Sequence, residues 1–207
     1  MIWLKRNSRA LFLVTIGIAL LPAYLRAYVL AGPSDIPTVL IGDKVIVNHA
    51  AYSLKVPYSD VTVFRTGSPK RGDFVLLRLG NHPRLKSAFF KRIIGLPGEV
   101  IEISDNQVFI DGNRLPAHPL NAADFAWVPK SHPIGSEVHD EDGHWITFTP
   151  GKSELGSHSP VRLRDREYFV LGDNRDHSED SRTFGPVPET AVLGRVIATF
   201  PTGPRVR

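Results

Sequence analysis

A long apolar run close to the N-terminus constrains this chain more than any other feature. It extends from Ala10 to Ala31, follows Lys5, Arg6 and Arg9, and contains no charged residue before Arg26. A helix of this length spans about 33 Å, close to the thickness of the hydrocarbon core of a bilayer. Because positive flanking residues stay on the cytoplasmic side, the sequence predicts a retained anchor with an inside N-terminus and an exported body.

A cleaved secretory signal is the alternative interpretation of the same run. Val29 and Ala31 are small residues at the spacing of a cleavage site. The run is longer than the usual apolar core of such a signal, however, and Arg26 interrupts the region that is usually neutral. We therefore favour a retained anchor over residues 10–31, preceded by a cytoplasmic basic segment over residues 1–9. Either interpretation predicts export.

The position of the charges argues against a nucleic-acid partner. The three N-terminal cations supply most of the net charge of +4, and no basic run follows them that would serve as a stripe for a phosphate backbone. The chain contains 0 Cys, so a disulfide framework, a thiolate nucleophile and a thiolate zinc site are all excluded. We expect neither a metal nor a cofactor.

Short β-rich runs separated by turn signals follow the apolar run, and they predict a mostly β body. Asp105-Asn106 and Asp111-Gly112 are typical of tight turns, whereas Gly72-Asp73 and the stretch from Gly95 to Gly98 are expected to interrupt strands. The predicted strands cover residues 44–47, 74–77, 89–94, 100–103, 108–110, 145–148, 168–171 and 192–200.

The composition changes between residues 113 and 165, where five of the eight His residues are found. We interpret this stretch as an inserted lobe in a β-rich core made of residues 32–112 and 166–207. The lobe contains His139 and His144 with Asp140 and Asp142 between them. This His spacing suits no common metal motif, so we predict a loop there.

Three short segments carry residues that could perform chemistry, and each is ambiguous alone. The first, Gly32 to Thr38, places Ser34 between two prolines and could be a simple juxtamembrane turn. The second, Phe89 to Glu99, places Lys91 among apolar side chains. A Lys in such surroundings loses solvation of its ammonium form, which favours the free amine that can act as a base. An exposed edge pair with Arg92 is the simpler interpretation.

The third segment, Gly172 to Arg182, follows a predicted strand and concentrates charged residues and hydroxyls. It could be a solvated loop or an ordered one held by Asp-Arg pairs. In this order, and behind the apolar run, the three segments together resemble type I signal peptidases, the membrane-bound Ser-Lys proteases that remove signal peptides from exported proteins.

The resemblance extends over nearly the whole chain apart from residues 113–165. Ser34-Asp35-Ile36-Pro37-Thr38 resembles the Ser-Met-x-Pro-Thr box of that family, and residues 42–48 resemble the next box. Residues 91–98 are close to the Lys-Arg-x-x-Gly-Leu-Pro-Gly box. Residues 172–182 match Gly-Asp-Asn-Arg-x-x-Ser-x-Asp-Ser-Arg at every fixed position.

The resemblance implies a role for each matched residue. Ser34 would be the nucleophile, its backbone N–H would bind the oxyanion, and Lys91 would be the general base. Ser178 would orient the Lys91 amine. The supporting residues would be an Asp180–Arg182 ion pair and a brace formed by Asp173, Asn174 and Arg175. The implied partners are signal-peptide-bearing preproteins and the lipid bilayer.

The sequence departs from the family pattern at Asp35, where Met is usual. A carboxylate near Lys91 would favour the ammonium form and impair the base. Because adjacent side chains diverge along an extended backbone, we expect Asp35 to point away toward water or lipid head groups. A chain with attenuated activity or altered specificity is the alternative.

Three other functions stay open at this level. A Ser-His-Asp hydrolase could use His177, although this residue occupies a variable position of the family pattern and is more typical of a surface site. A maturation peptidase with one dedicated substrate would share the Ser-Lys chemistry. An attenuated, non-catalytic anchored β-domain would bind partners outside the membrane.

Overall fold

The computed structural model describes residues 15, 21–57, 59, 61–80, 87–121, 125, 128, 134–139, 142–148 and 156–203. These residues are mostly β, as predicted, with only short helical segments. All of the predicted strands are present, with bounds that differ by a few residues.

The main sheet has seven antiparallel strands among the described residues. The last strand in the sequence is inserted between the second and fifth, so strands far apart in the chain become neighbours. In spatial order the strands are β1 (Leu25–Val29), β2 (Lys44–Asn48), β16 (Val192–Phe200), β5 (Phe74–Leu77), β6 (Phe89–Gly95), β14 (Glu167–Leu171) and β15 (Val187–Pro188).

Strand β6 is buried on both sides, which explains how it can hold charged side chains out of solvent. Consecutive residues of a strand point to opposite faces, and here Ile93 and Ile94 enter two different apolar clusters. The first cluster includes Val75 and Tyr168, and the second includes Phe169. Lys91 and Arg92 therefore lie in a covered strand, not in the exposed edge pair of the simpler interpretation.

A second sheet and a small hairpin surround this core. The second sheet contains β13 (His158–Arg162), β7 (Val100–Ser104), β8 (Gln107–Ile110) and β9 (Asn113–Arg114), and the hairpin pairs β3 (Ser53–Lys55) with β4 (Thr62–Arg65). The predicted turns are confirmed, because Asp105, Asn106 and Asp111 all have positive φ. The predicted break is also confirmed, because β6 ends at Gly95, where a Cβ would lie 2.7 Å from Ile101.

A three-stranded sheet lies within residues 113–165 and contains β10 (Ala117–Pro119), β11 (Ile134–His139) and β12 (Asp142–Thr147). The predicted loop around the His residues is wrong, since His139 ends β11 and His144 lies in β12. Regular antiparallel pairing between these strands accounts for the difference. Asp140 lies outside the described residues.

The apolar run ends earlier than predicted. Leu25–Val29 form β1 and pair with Lys44–Asn48, so the backbone groups of these residues are satisfied by a sheet and not by a helix. Residues 21–24 are helical, and most of residues 10–20 lies outside the described part of the chain. Within the described ranges, no helix has both the length and the apolar character needed to span a membrane.

Candidate active site

The segment that carries Ser34 is a compact turn. The Ile36 N–H donates to the Pro33 carbonyl, and the Val39 N–H donates to the Asp35 carbonyl. These bonds satisfy backbone groups locally and hold Ser34 in a partly buried position. Gly32 adjoins this turn in open space, because a Cβ there would meet no atom within 4 Å.

Lys91 comes from the middle of β6 and reaches Ser34 directly. Its side chain is only 3% exposed. Nζ donates to Ser34 Oγ over 2.9 Å and to the Phe90 carbonyl over 2.7 Å, and it lies 5.4 Å from the centre of the Phe89 ring. The two residues that sequence reasoning placed in the nucleophile and base positions are thus in hydrogen-bond contact.

Asp35 lies in the site and does not point away from it. Its side chain is 3% exposed, and the Ser34 hydroxyl donates to its Oδ2 over 2.8 Å. The expectation of a solvent-facing carboxylate is wrong because residues 34–38 form a turn and not a strand, so adjacent side chains need not diverge. Ser34 Oγ consequently lies between an amine and a carboxylate.

The environment of Asp35 disfavours its ionised form. Burial is the largest cause and raises the pKa of the carboxyl to about 6, against the opposing effect of Lys91. Asp173 raises this pKa further, whereas the Ser34 hydrogen bond and Arg92 lower it. Oδ1 of Asp35 is buried and has no hydrogen-bond partner among the described residues, so only half of the carboxylate is compensated.

The loop that follows β14 holds the Ser34 segment in place. The backbone N–H of Asn174 donates to the Ser34 carbonyl over 3.0 Å, and its side-chain amide donates to the Pro33 carbonyl over 3.0 Å. Arg175 Nε donates back to the Gly172 carbonyl. These contacts are of the kind expected from a bracing role for Asp173 to Arg175.

Gly172 marks the closest approach between this loop and the Ser34 segment. A Cβ at this position would overlap the Ser178 side chain and lie 2.7 Å from the Ser34 carbonyl oxygen. Only a residue without a side chain fits between the two. Ser178 therefore lies near the backbone of Ser34.

The hydroxyl of Ser178 is buried and helps to lower the pKa of the neighbouring Asp180. It has no hydrogen bond of good geometry among the described residues. The hydrogen bond from Ser178 to the Lys91 amine that the resemblance implies is not formed in this conformation.

Asp180 and Arg182 form the ion pair that the sequence suggested. Arg182 donates to both carboxylate oxygens, over 2.8 Å each, and the Gly172 N–H donates to Oδ2 over 3.0 Å. Burial alone would raise the pKa of Asp180, but the hydrogen bonds and charge of Arg182 hold it below its usual value. The Asp180 carboxylate therefore joins the start of the loop, at Gly172, to its end, at Arg182.

A second buried ion pair was missed by sequence reasoning. Arg92 binds Asp173 through two hydrogen bonds of 2.8 and 2.6 Å, and Thr38 Oγ1 donates to the same carboxylate over 2.5 Å. The network joins β6, the loop after β14 and the Ser34 segment. Thr38 and Arg92 both lie in segments that resemble the family motifs, so their place in those motifs could have indicated a role in the site.

The three-stranded sheet also contacts this network. The Thr147 N–H donates to the Asp173 carbonyl over 2.9 Å, and His144 Nε2 lies 3.7 Å from Asp173 Oδ1. Ile36 packs against Trp145 in a small apolar cluster. His177, by contrast, is exposed.

The arrangement provides a hydroxyl nucleophile with two candidate proton acceptors. Ser34 Oγ lies within 3 Å of both Lys91 Nζ and Asp35 Oδ2, which is the reach that general-base activation requires. Among the described residues, no group of three His, Asp or Glu side chains is placed to hold a metal ion.

Comparison with known proteins gives consistent results. The family model described as signal peptidase, peptidase S26 matches residues 3–200. The chain is 30% identical to signal peptidase I of Pseudomonas fluorescens in an alignment of 186 positions that covers 81% of this chain and 62% of that protein.

Two further relatives cover larger shares. The chain is 28% identical to the probable signal peptidase I-2 of Synechocystis, covering 99% of this chain and 76% of that protein. It is 31% identical to signal peptidase I P of Bacillus subtilis subsp. natto, covering 87% of this chain and 77% of that protein. The chain thus spans 62% to 77% of the length of these relatives.

Proposed function

Since the chain belongs to the signal peptidase family, peptidase S26, we propose that it is a serine endopeptidase that cleaves signal peptides from exported preproteins. The observation that carries the proposal is the contact between Ser34 Oγ and Lys91 Nζ, 2.9 Å apart in a largely buried setting. A hydroxyl paired with an amine is a recurrent arrangement for acyl transfer.

In the proposed reaction Ser34 Oγ attacks the scissile carbonyl and forms an acyl-enzyme, which water then hydrolyses. Lys91, as a free amine, takes the hydroxyl proton and passes it to the leaving amine. The backbone N–H of Ser34 binds the oxyanion. Loop 172–182 keeps the nucleophile in position through its bonds to the Pro33 and Ser34 carbonyls.

We place the catalytic domain on the outer side of the cell membrane, with residues 10–20 as part of an anchor that has its N-terminus inside. The apolar composition of that stretch and the basic residues before it support this placement. Ser34 follows the stretch closely in sequence, so the site would lie near the outer face, where the cleavage site of a signal peptide emerges.

Complementation tests the proposal. A cell depleted of its own signal peptidase should resume preprotein processing when it expresses the full chain, and Ser34→Ala should abolish this, a loss on the order of 10⁴-fold or more in cleavage rate. Ser87→Ala, which removes an exposed hydroxyl, is the matched control and should process normally. Failure of the expressed and inserted wild type to process preproteins would reject the assignment.

A further inference from the structure

The proposed reaction leaves the carboxylate beside the nucleophile without a task. Asp35 contacts the reacting atom itself, because Ser34 Oγ donates to Oδ2 over 2.8 Å. Lys91 Nζ donates a hydrogen bond to Ser34 Oγ over 2.9 Å. In this geometry the proton of the nucleophile points to the carboxylate and not to the amine.

We propose that Asp35 is a catalytic residue whose carboxylate accepts the Ser34 proton, so that the site has two alternative bases. The inference rests on the proposed function in taking Ser34 as the nucleophile. It adds a carboxylate base beside the Lys91 amine, since both groups contact Ser34 Oγ.

The proton and electron pairs balance along this route. As the bond from Ser34 Oγ to the carbonyl carbon forms, the hydroxyl proton moves to Asp35 Oδ2. When the C–N bond breaks, the leaving amine takes that proton and the carboxylate is restored. In deacylation, a water gives its proton to Asp35 as its oxygen attacks the ester, and the departing Ser34 oxygen then recovers that proton.

The charges around Asp35 suit this role. Burial and the nearby Asp173 carboxylate make the Asp35 carboxylate a stronger base than an exposed one, and its pKa of about 6 still leaves it ionised at pH 7. Lys91 and Arg92 from β6 oppose this effect, and His144 contacts Asp173 from the inserted lobe.

The uncompensated oxygen is consistent with the same role. Asp35 Oδ1 is buried without a hydrogen-bond partner among the described residues, whereas Asp173 and Asp180 are bound by Arg side chains. A carboxylate with fewer hydrogen bonds to its charged form keeps more of its basicity. Of these three buried carboxylates, Asp35 alone combines contact with Ser34 Oγ and a raised pKa.

The test is the pH profile of kcat/KM for cleavage of a purified preprotein by the full chain in detergent or lipid. The wild type should rise through an apparent pKa near 6 and be close to its plateau at pH 7. Asp35→Asn keeps the shape of the side chain and removes the base. It should lose about 10²- to 10⁴-fold at pH 7, and its remaining activity should no longer rise through the apparent pKa near 6.

Activity of Asp35→Asn close to that of the wild type would overturn the inference. If Asp35→Asn cleaves at pH 7 within tenfold of the wild type, or faster, Asp35 is not a base and the inference is overturned. Glu102→Gln, which removes a partly buried carboxylate on β7, is the control and should leave the profile unchanged. A thermal melt of each variant separates loss of chemistry from loss of fold.

The same experiment distinguishes the two proposals. Cleavage by the wild type together with its loss in Ser34→Ala supports the proposed function whatever Asp35→Asn does. An active Asp35→Asn then rejects the second base alone. Lack of cleavage by the wild type, or persistent cleavage by Ser34→Ala, overturns both.

Discussion

Two buried carboxylates, one next to Ser34 in the chain and the other in the loop that contacts the Ser34 segment, are held in opposite ways. Asp180 in the loop after β14 is bound at both oxygens by Arg182 and by a backbone N–H. Asp35 in the Ser34 turn has one hydrogen bond from Ser34 and a second oxygen without a described partner. The pKa of Asp180 is lowered and that of Asp35 is raised, although both are almost fully buried.

The difference shows that burial alone does not decide whether the pKa of a carboxyl group is raised or lowered. Desolvation is the largest contribution at both sites, and the hydrogen bonds and adjacent cation decide which sign results. The loop therefore uses its carboxylates to hold structure. In the turn, Asp35 has few hydrogen bonds that would lower its basicity, and its carboxylate contacts Ser34 Oγ.

Asp180→Asn gives the largest expected effect on stability. It leaves the buried Arg182 without its counter-charge, which costs about 3 to 5 kcal/mol of unfolding free energy at pH 7. Because the folded pKa of Asp180 lies below its unfolded value, the contribution is present above the unfolded pKa and is lost as the pH falls through the folded one. Chemical denaturation at several pH values measures it, and an unchanged midpoint at pH 7 would contradict the comparison.

Asp35→Asn is expected to change stability in the opposite direction. The pKa of Asp35 is raised from 3.8 to about 6, so ionising it in the folded state costs about 3 kcal/mol by the usual conversion. The free energy of unfolding of Asp35→Asn should therefore exceed that of the wild type by about 3 kcal/mol at pH 7. The gain should be complete above about pH 6 and vanish below about pH 4. An Asp35→Asn variant that is more stable and less active than the wild type would support the difference between the two carboxylates. A lower free energy of unfolding for this variant at pH 7, measured by chemical denaturation, would contradict it.

Gly172→Ala probes the contact between the two regions and has the smallest expected effect. The added methyl group overlaps Ser178 and meets the Ser34 carbonyl oxygen at 2.7 Å, so the loop must move away from the turn. Overpacking of this kind costs about 1 to 3 kcal/mol. Catalysis should fall more than stability, since nucleophile placement is sensitive to small displacements. Gly203→Ala is the control, because a Cβ there meets nothing.

Much of the β core could be predicted from sequence because each strand has a local signal. Short runs of aromatic and aliphatic residues bounded by turn signals indicate β5 and β6, and the Asp-Asn and Asp-Gly pairs with positive φ mark the turns of the second sheet. The Ser34–Lys91 contact was predictable only through the family-like motifs, since 57 positions separate the two residues.

Two features could not be predicted because they depend on the rest of the fold. Hydropathy assigned Leu25–Val29 to a membrane helix, but pairing with β2 makes them a strand, and no local window contains that partner. The direction of Asp35 followed from an assumed extended backbone, whereas the Val39–Asp35 hydrogen bond closes a turn. Pairing with a strand about 20 residues away decided the first conformation, and a backbone hydrogen bond within the turn decided the second.

The insertion of β16 between β2 and β5 has a consequence for biosynthesis. Ser34 precedes β2 on one side of this strand, and Lys91 lies in β6 on the other side. A nascent chain that has not yet reached Val192 lacks the strand that joins the two halves into one sheet. We therefore expect the contact between Ser34 and Lys91 to form only in chains that have been synthesised through β16.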